Sequence, residues 1–192
     1  MSSEPAPSSD EGGLAERELI ERLETLEQQV ATLTENQPSD RKRLAIIATK
    51  GSLDMAYPPL ILATTAAAFD WEVEVFYTFW GLDILHRKKS QSLTLSAVGN
   101  TSMPIPNSIA VLPGMDRVTT RKMEQKIADN GTPTIKELID IALDQGVDLQ
   151  ACQMTMDLMD YDDDDFFDGV TTGVGAASAL EFMGTADVQL LI

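Results

Sequence analysis

The chain has 192 residues, is 43% apolar, and carries a formal net charge of −17 with a pI near 4.2. This is enough for one domain with a buried core and an appendage. Charge of this sign repels phosphate backbones and argues against direct nucleic-acid binding.

Residues 1–40 hold a net of −8, so the other 152 residues carry −9. Acidity spread over the whole chain points to a halophilic surface, where salt screens self-repulsion. The single cysteine, Cys152, excludes an intrachain disulfide and a four-cysteine zinc site. With no Arg-led signal sequence, it predicts a reducing, cytoplasmic setting. The longest apolar run, residues 55–69, contains Pro58 and Pro59. It is shorter than the roughly 20 residues a membrane helix needs, so no membrane span is expected.

In chain order, residues 1–13 are rich in Ser, Pro, Glu and Gly and read as a disordered acidic tail. Residues 14–37 carry Leu19, Leu23, Leu26, Val30 and Leu33, spaced 4, 3, 4, 3 as in a coiled-coil seam. So short a heptad helix needs a partner helix, because isolated helices nucleate poorly. The third region, residues 43–192, alternates strand and helix patterns.

Strands are predicted at 44–49, 72–79, 149–152 and 187–192. Helices are predicted at about 54–69, where Pro58 and Pro59 kink or delay the start, then at 84–89, 119–130 and 134–145. Two more follow, a short one after Cys152 and another at 174–183. Thr134 followed by Glu137 reads as a capping box. The long stretch 90–115 has no clean period, and loops of that length are usually functional or interfacial. The alternation predicts an α/β protein with a mostly parallel sheet and helices on both faces.

In such sheets the ligand crevice lies beyond the carboxyl ends of the strands. Three turns would gather there, bringing Lys50, Gly51 and Asp54, then Trp80 and Gly81, then Cys152 and Gln153. A thiol at a strand-to-helix turn is placed for a low pKa and hence for nucleophilic chemistry, and it reads equally as an inert core thiol or as an intermolecular crosslink. Each of the other residues also has a structural reading: Lys50 as a surface lysine, Asp54 as a helix cap, Trp80 as a core or interface anchor. No phosphate-loop or dinucleotide fingerprint is present. His86, in a basic patch with Arg87, Lys88 and Lys89, reads as a surface residue. The patch reads either as a dock for an acidic partner or as a solvated helix end. The acidic run 160–165 does not fit an EF-hand and reads as a solvated loop. Neither a metal site nor a cofactor is expected.

The runs Lys50-Gly51-Ser52-Leu53-Asp54-Met55-Ala56-Tyr57-Pro58-Pro59-Leu60, Phe76-Tyr77-Thr78-Phe79-Trp80-Gly81-Leu82 and Ala151-Cys152-Gln153-Met154-Thr155-Met156-Asp157-Leu158-Met159 resemble the DsrE/DsrF/DsrH-like sulfur-relay family. The match is to its DsrE-type subfamily, sometimes labelled peroxiredoxin-like, and spans residues 43–192. The resemblance implies a flavodoxin-like three-layer α/β/α fold assembling into trimers or hexamers. It also implies a sulfur carrier or sulfurtransferase-type function, with persulfide or thiosulfonate sulfur on Cys152 and TusA-like or rhodanese-like partners. The peroxiredoxin label fits poorly, since the chain has no resolving cysteine. Two other readings remain: a nucleotide- or flavin-binding module, and a non-catalytic oligomeric scaffold of the same fold.

The halophilic reading predicts a melting temperature that rises with molar KCl. One that is indifferent to salt would remove it.

Overall fold

The computed structural model describes residues 20, 22–23, 25–28, 41–96 and 115–192. It contains two compact units, Met1–Asp40 and Arg41–Ile192. The described residues of the first are helical, with Ile20, Leu23 and Leu26 exposed. Tail residues 1–13 and the seam positions Leu19, Val30 and Leu33 lie outside the described residues, as does most of the 90–115 stretch.

The second unit holds β1 (Arg43–Ala48), α1 (Leu53–Ala68), β2 (Glu72–Tyr77), α2 (Leu82–Leu85), α3 (Met115–Asp129) and α4 (Ile135–Asp144). It continues with β3 (Asp148–Cys152), α5 (Gln153–Met159), β4 (Thr171–Val174), α6 (Ala176–Met183) and β5 (Val188–Leu191). The strands form one sheet in the order β4-β3-β2-β1-β5, and every pairing is parallel. Right-handed crossovers place the helices between β1 and β4 on one face. The return past β1 to β5 then puts α6 on the other, giving the layered α/β arrangement.

Side chains alternate across a strand, so each strand serves two layers. Leu44, Ile46, Ala48, Val73, Val75, Tyr77, Leu149 and Ala151 make one continuous buried surface. Leu53, Ala56, Leu60 and Ala63 of α1 and Ile135, Leu138, Ile139 and Ala142 of α4 join it in the core. Each large side chain so buried contributes about 1.5–3 kcal/mol. The capping box at α4 forms as expected: Thr134 Oγ1 accepts from Glu137 N, and Thr134 N donates to Glu137 Oε2 at 2.7 Å.

The opposite face is polar toward its middle. Gln150 Nε2 donates to Glu74 Oε2 (2.8 Å) and Asp148 Oδ2 (2.7 Å), and Thr171 Oγ1 donates to Asp148 Oδ1 (2.6 Å). Burial is the largest influence on Glu74 and raises its pKa, against the Gln150 hydrogen bond, which lowers it.

Four local expectations change. The helix expected at 84–89 ends at Leu85, because His86 turns extended to bridge Phe166. The helix over residues 53–68 starts on time and runs through Pro58 and Pro59, with Ser52 rather than Asp54 at its N-cap. β4 has no counterpart in the sequence reading. Its four residues include Gly173 at φ +76, and it is an edge strand too short for a period to show. The helix expected from Val174 begins at Ala176, because Val174 pairs with Cys152 in the sheet.

Two glycines decide how the loops at the carboxyl edge fit together. A Cβ on Gly51 would fall within 3.0 Å of the Trp80 carbonyl, and one on Gly81 within 3.0 Å of the Ala48 carbonyl. The loops after β1 and β2 therefore pack backbone to backbone, each through the other's glycine. Gly81→Ala should cost about 1–3 kcal/mol in urea unfolding, because backbone cannot yield as a flexible side chain can. A second test concerns Tyr77, whose buried hydroxyl has no hydrogen-bond partner among the described residues. Tyr77→Phe removes a desolvated hydroxyl without leaving a large cavity. It should therefore leave the melting temperature unchanged or raised, whereas a loss above about 1 kcal/mol would reveal a partner.

Candidate functional site

Because β1, β2 and β3 are parallel neighbours, the turns that follow them emerge along one edge of the sheet. Tyr77 is level with Ala151, so Thr78 and Cys152 leave the sheet side by side. Cys152 is the last residue of β3 and the N-cap of α5.

Thr155, on the first turn of α5, links the two turns. Its Oγ1 lies 3.1 Å from Thr78 Oγ1 and accepts a hydrogen bond from Phe79 N at 3.2 Å. Phe79 holds φ +49, a left-handed conformation that costs a bulky residue about 1–3 kcal/mol.

The thiol is not open to solvent, as nucleophilic chemistry on the surface would require. Cys152 is 5% exposed, because the turn after β2 and the helix after β3 close over it. Its surroundings are nevertheless polar on one side. Burial is the largest influence and raises the thiol pKa. Against it act the hydroxyl and amide of Thr155, the hydroxyl of Thr78 and the amide of Met154, and the balance lowers the pKa below its ordinary value. As the N-cap of α5, Cys152 makes no side-chain cap hydrogen bond. Thiolate stabilisation thus comes from hydroxyls and amides, with no cation among the largest influences.

The other expected residues occupy distinct places on this edge. Lys50 is exposed and leaves the sheet two strands from Cys152, roughly 10 Å at ordinary strand spacing. Asp54 sits in the first turn of α1 and accepts from Ser96 N at 2.9 Å. Gly51 and Gly81 are the contact points between loops described above. Trp80 is 63% exposed. Gln153 opens α5 and donates to Asp157 Oδ1 at 2.7 Å. Phe79, Met154 and Leu158 are also exposed, so the turn after β2 and α5 both present apolar side chains at the surface. Among the described residues, no group of three His, Cys, Asp or Glu could hold a metal ion. No helix there is long and apolar enough to cross a membrane.

Sequence reasoning passed over Thr78 and Thr155, although both stand inside the quoted motifs. The available signal was a hydroxyl residue three positions after a strand-terminal cysteine, where a first helical turn brings it back toward the sulfur.

His86 corrects a second expectation, since it is buried rather than at the surface. It meets the Tyr161 ring edge-on, with centroids 5.1 Å apart, and its Nδ1 accepts from Lys88 N at 3.2 Å. Burial is the largest influence on it and lowers its pKa, against the nearby Asp165 carboxylate, which raises it. The basic patch meets the chain's own acidic loop. Arg87 pairs with Asp168 at 2.5 Å and donates to the Phe166 carbonyl, while Lys89 and Asp83 both bond the Tyr161 hydroxyl. An antiparallel bridge from His86 to Phe166 completes this clasp between the segments after α2 and α5.

A family model described as the DsrE/DsrF/DrsH-like family matches residues 40–191. The sulfur carrier protein DsrE2 of Allochromatium vinosum is 46% identical over 161 residues, covering 80% of this chain and 99% of that protein. The uncharacterized protein YrkE of Bacillus subtilis is 30% identical over 156 residues, covering 79% of this chain and 97% of that protein. The crystal structure of the ychN protein from E. coli aligns at a TM-score of 0.48 and 12% identity, covering 79% of this chain and 99% of that one. With a matching family model over most of its length and a relative of this similarity, the chain belongs to the DsrE/DsrF/DrsH-like family.

Proposed function

We propose that the chain is a sulfur carrier of the sulfurtransferase type. It holds transferable sulfur on Cys152, as a persulfide or thiosulfonate, within a cytoplasmic relay. One placement supports this most: the chain's only thiol sits at the carboxyl end of β3 among hydroxyl and amide donors. It does so in a chain 46% identical to a protein named as a sulfur carrier.

In the loading step the Cys152 thiolate attacks the outer sulfur of a donor persulfide, R–S–SH. The bond between the two donor sulfurs breaks, its electron pair leaves with R–S⁻, and Cys152–S–SH forms. In unloading, an acceptor thiolate takes the outer sulfur in the same way and Cys152 thiolate is restored. Neither step changes the total oxidation level, and neither calls for a second cysteine in this chain. The product is acidic, so donors that stabilise a thiolate also stabilise an ionised persulfide.

The exposed Phe79, Trp80, Met154 and Leu158 suit contact with another protein surface, since a cysteine only 5% exposed is reached by a projecting group. TusA-like or rhodanese-like carriers are the proposed exchange partners, and a trimer or hexamer is the proposed assembly. Lys50 would add positive charge near the mouth for an anionic donor, with Gly51, Asp54, Gly81 and Gln153 shaping the surrounding turns.

Incubation with thiosulfate, tetrathionate or polysulfide, followed by mass spectrometry, tests the reading. An adduct of one sulfur or one thiosulfonate group should appear on Cys152 and vanish in Cys152→Ser. A thiol left unmodified by all three donors would refute the carrier role. It would favour a scaffold with an inert core cysteine.

A further inference from the structure

Ile20, Leu23 and Leu26 lie on a helix and are each more than half exposed. A helix this short nucleates poorly alone and depends on burying such a face. The family match begins at residue 40, so the face lies ahead of the part shared with that family.

The charge pattern around the seam says what covers it. With Leu23 at heptad position a and Leu26 at d, Leu19 and Leu33 fall at d and Val30 at a. Leucine at d with a β-branched residue at a favours two strands. Among the flanking e and g positions from 15 to 36, only two carry charge: Arg22 at g and Glu27 at e. Residues 14–37 hold six glutamates. Of the other five, Glu16 precedes the seam, and Glu18, Glu21, Glu24 and Glu35 fall at the outward b, c and f positions.

An acidic helix meeting its own copy would ordinarily set like charges against each other along the seam. Here the one flanking acid meets a base. In a parallel, in-register pair the g residue of one helix faces the e residue five positions on in the other, so Arg22 meets Glu27 of the second copy, twice by symmetry. Both residues are exposed. Within one helix they are five apart and do not face each other. Antiparallel pairing would set g against g and e against e, and would separate them.

We propose that residues 14–37 dock onto the same segment of a second copy of this chain. The product is a parallel, in-register, two-stranded coiled coil whose Arg22–Glu27 pairs fix direction and register. Six helices joined in twos agree with the proposed hexamer. The proposal does not depend on the sulfur chemistry of Cys152.

The test is disulfide trapping in the full chain carrying Cys152→Ser, with Leu33→Cys supplying the only thiol. Parallel pairing sets the two d positions against each other, whereas antiparallel pairing holds them roughly 20 Å or more apart. Oxidation should convert well over two thirds of the chains to covalent dimer. A three-stranded coil cannot pass two thirds, because one chain in each trio lacks a mate. Glu35→Cys in place of Leu33→Cys, at an outward position, should trap far less. Adding Leu23→Asp and Leu26→Asp should abolish trapping. Arg22→Glu should lower the trapping equilibrium in a glutathione buffer about tenfold, since two opposite-charge pairs become like-charge pairs. Arg22→Glu combined with Glu27→Arg should recover most of that loss. Melting curves check the fold of each variant.

Trapping that stays at or below two thirds, that survives the two aspartates, or that Glu35→Cys matches overturns the proposal. So does a charge swap that recovers nothing. Absence of trapping through Leu33→Cys overturns it as well, and leaves the carrier role of Cys152 standing.

Discussion

Parallel pairing of β2 with β3, in the register that sets Tyr77 beside Ala151, is the constraint from which the site follows. It brings Thr78 and Cys152 out of the sheet on adjacent strands. The first turn of α5 then returns Thr155 to Thr78. A slip of one residue would turn Cys152 to the other face of the sheet and break this meeting. The register itself is held by the buried row Val75, Tyr77, Leu149 and Ala151, whose displacement would expose the core.

Burial and reactivity oppose one another at Cys152. Taking a thiol out of water favours its neutral form, so a closed niche ordinarily makes an inert cysteine. Here donors on one side of the sulfur outweigh that penalty. They belong to segments that close the niche as well, so the cover and the compensation have one origin. Glycine contacts brace this arrangement from the next strand, because the β1 and β2 turns approach closely only where Gly51 and Gly81 lack side chains.

Away from the sulfur, opposite charges within the chain find each other. The basic segment 86–89 binds the acidic loop after α5 and secures the far end of that short helix. Asp148, Gln150 and Glu74 form a polar network on the face shared with α6, where burial makes Glu74 a weaker acid. An acidic protein thus keeps part of its charge in defined internal contacts and leaves most of it for the solvent.

The sequence by itself determined the strand–helix alternation, the parallel sheet and the single thiol at a strand-to-helix turn. These are local patterns, a period of two or of 3.6 and a capping box, and they need no distant partner to be read. The edge strand Thr171–Val174 carries no such pattern and exists because Gln150 and Cys152 offer it hydrogen bonds. His86 looked solvated beside three cations, yet Tyr161 and Phe166, far along the chain, enclose it. Thr78 and Thr155 are 77 positions apart, and only the register of two strands brings their hydroxyls together. Sequence names the one thiol a relay could use because that depends on residue type. Its exposure and charge were left to tertiary structure, because they depend on which donors the fold carries to it.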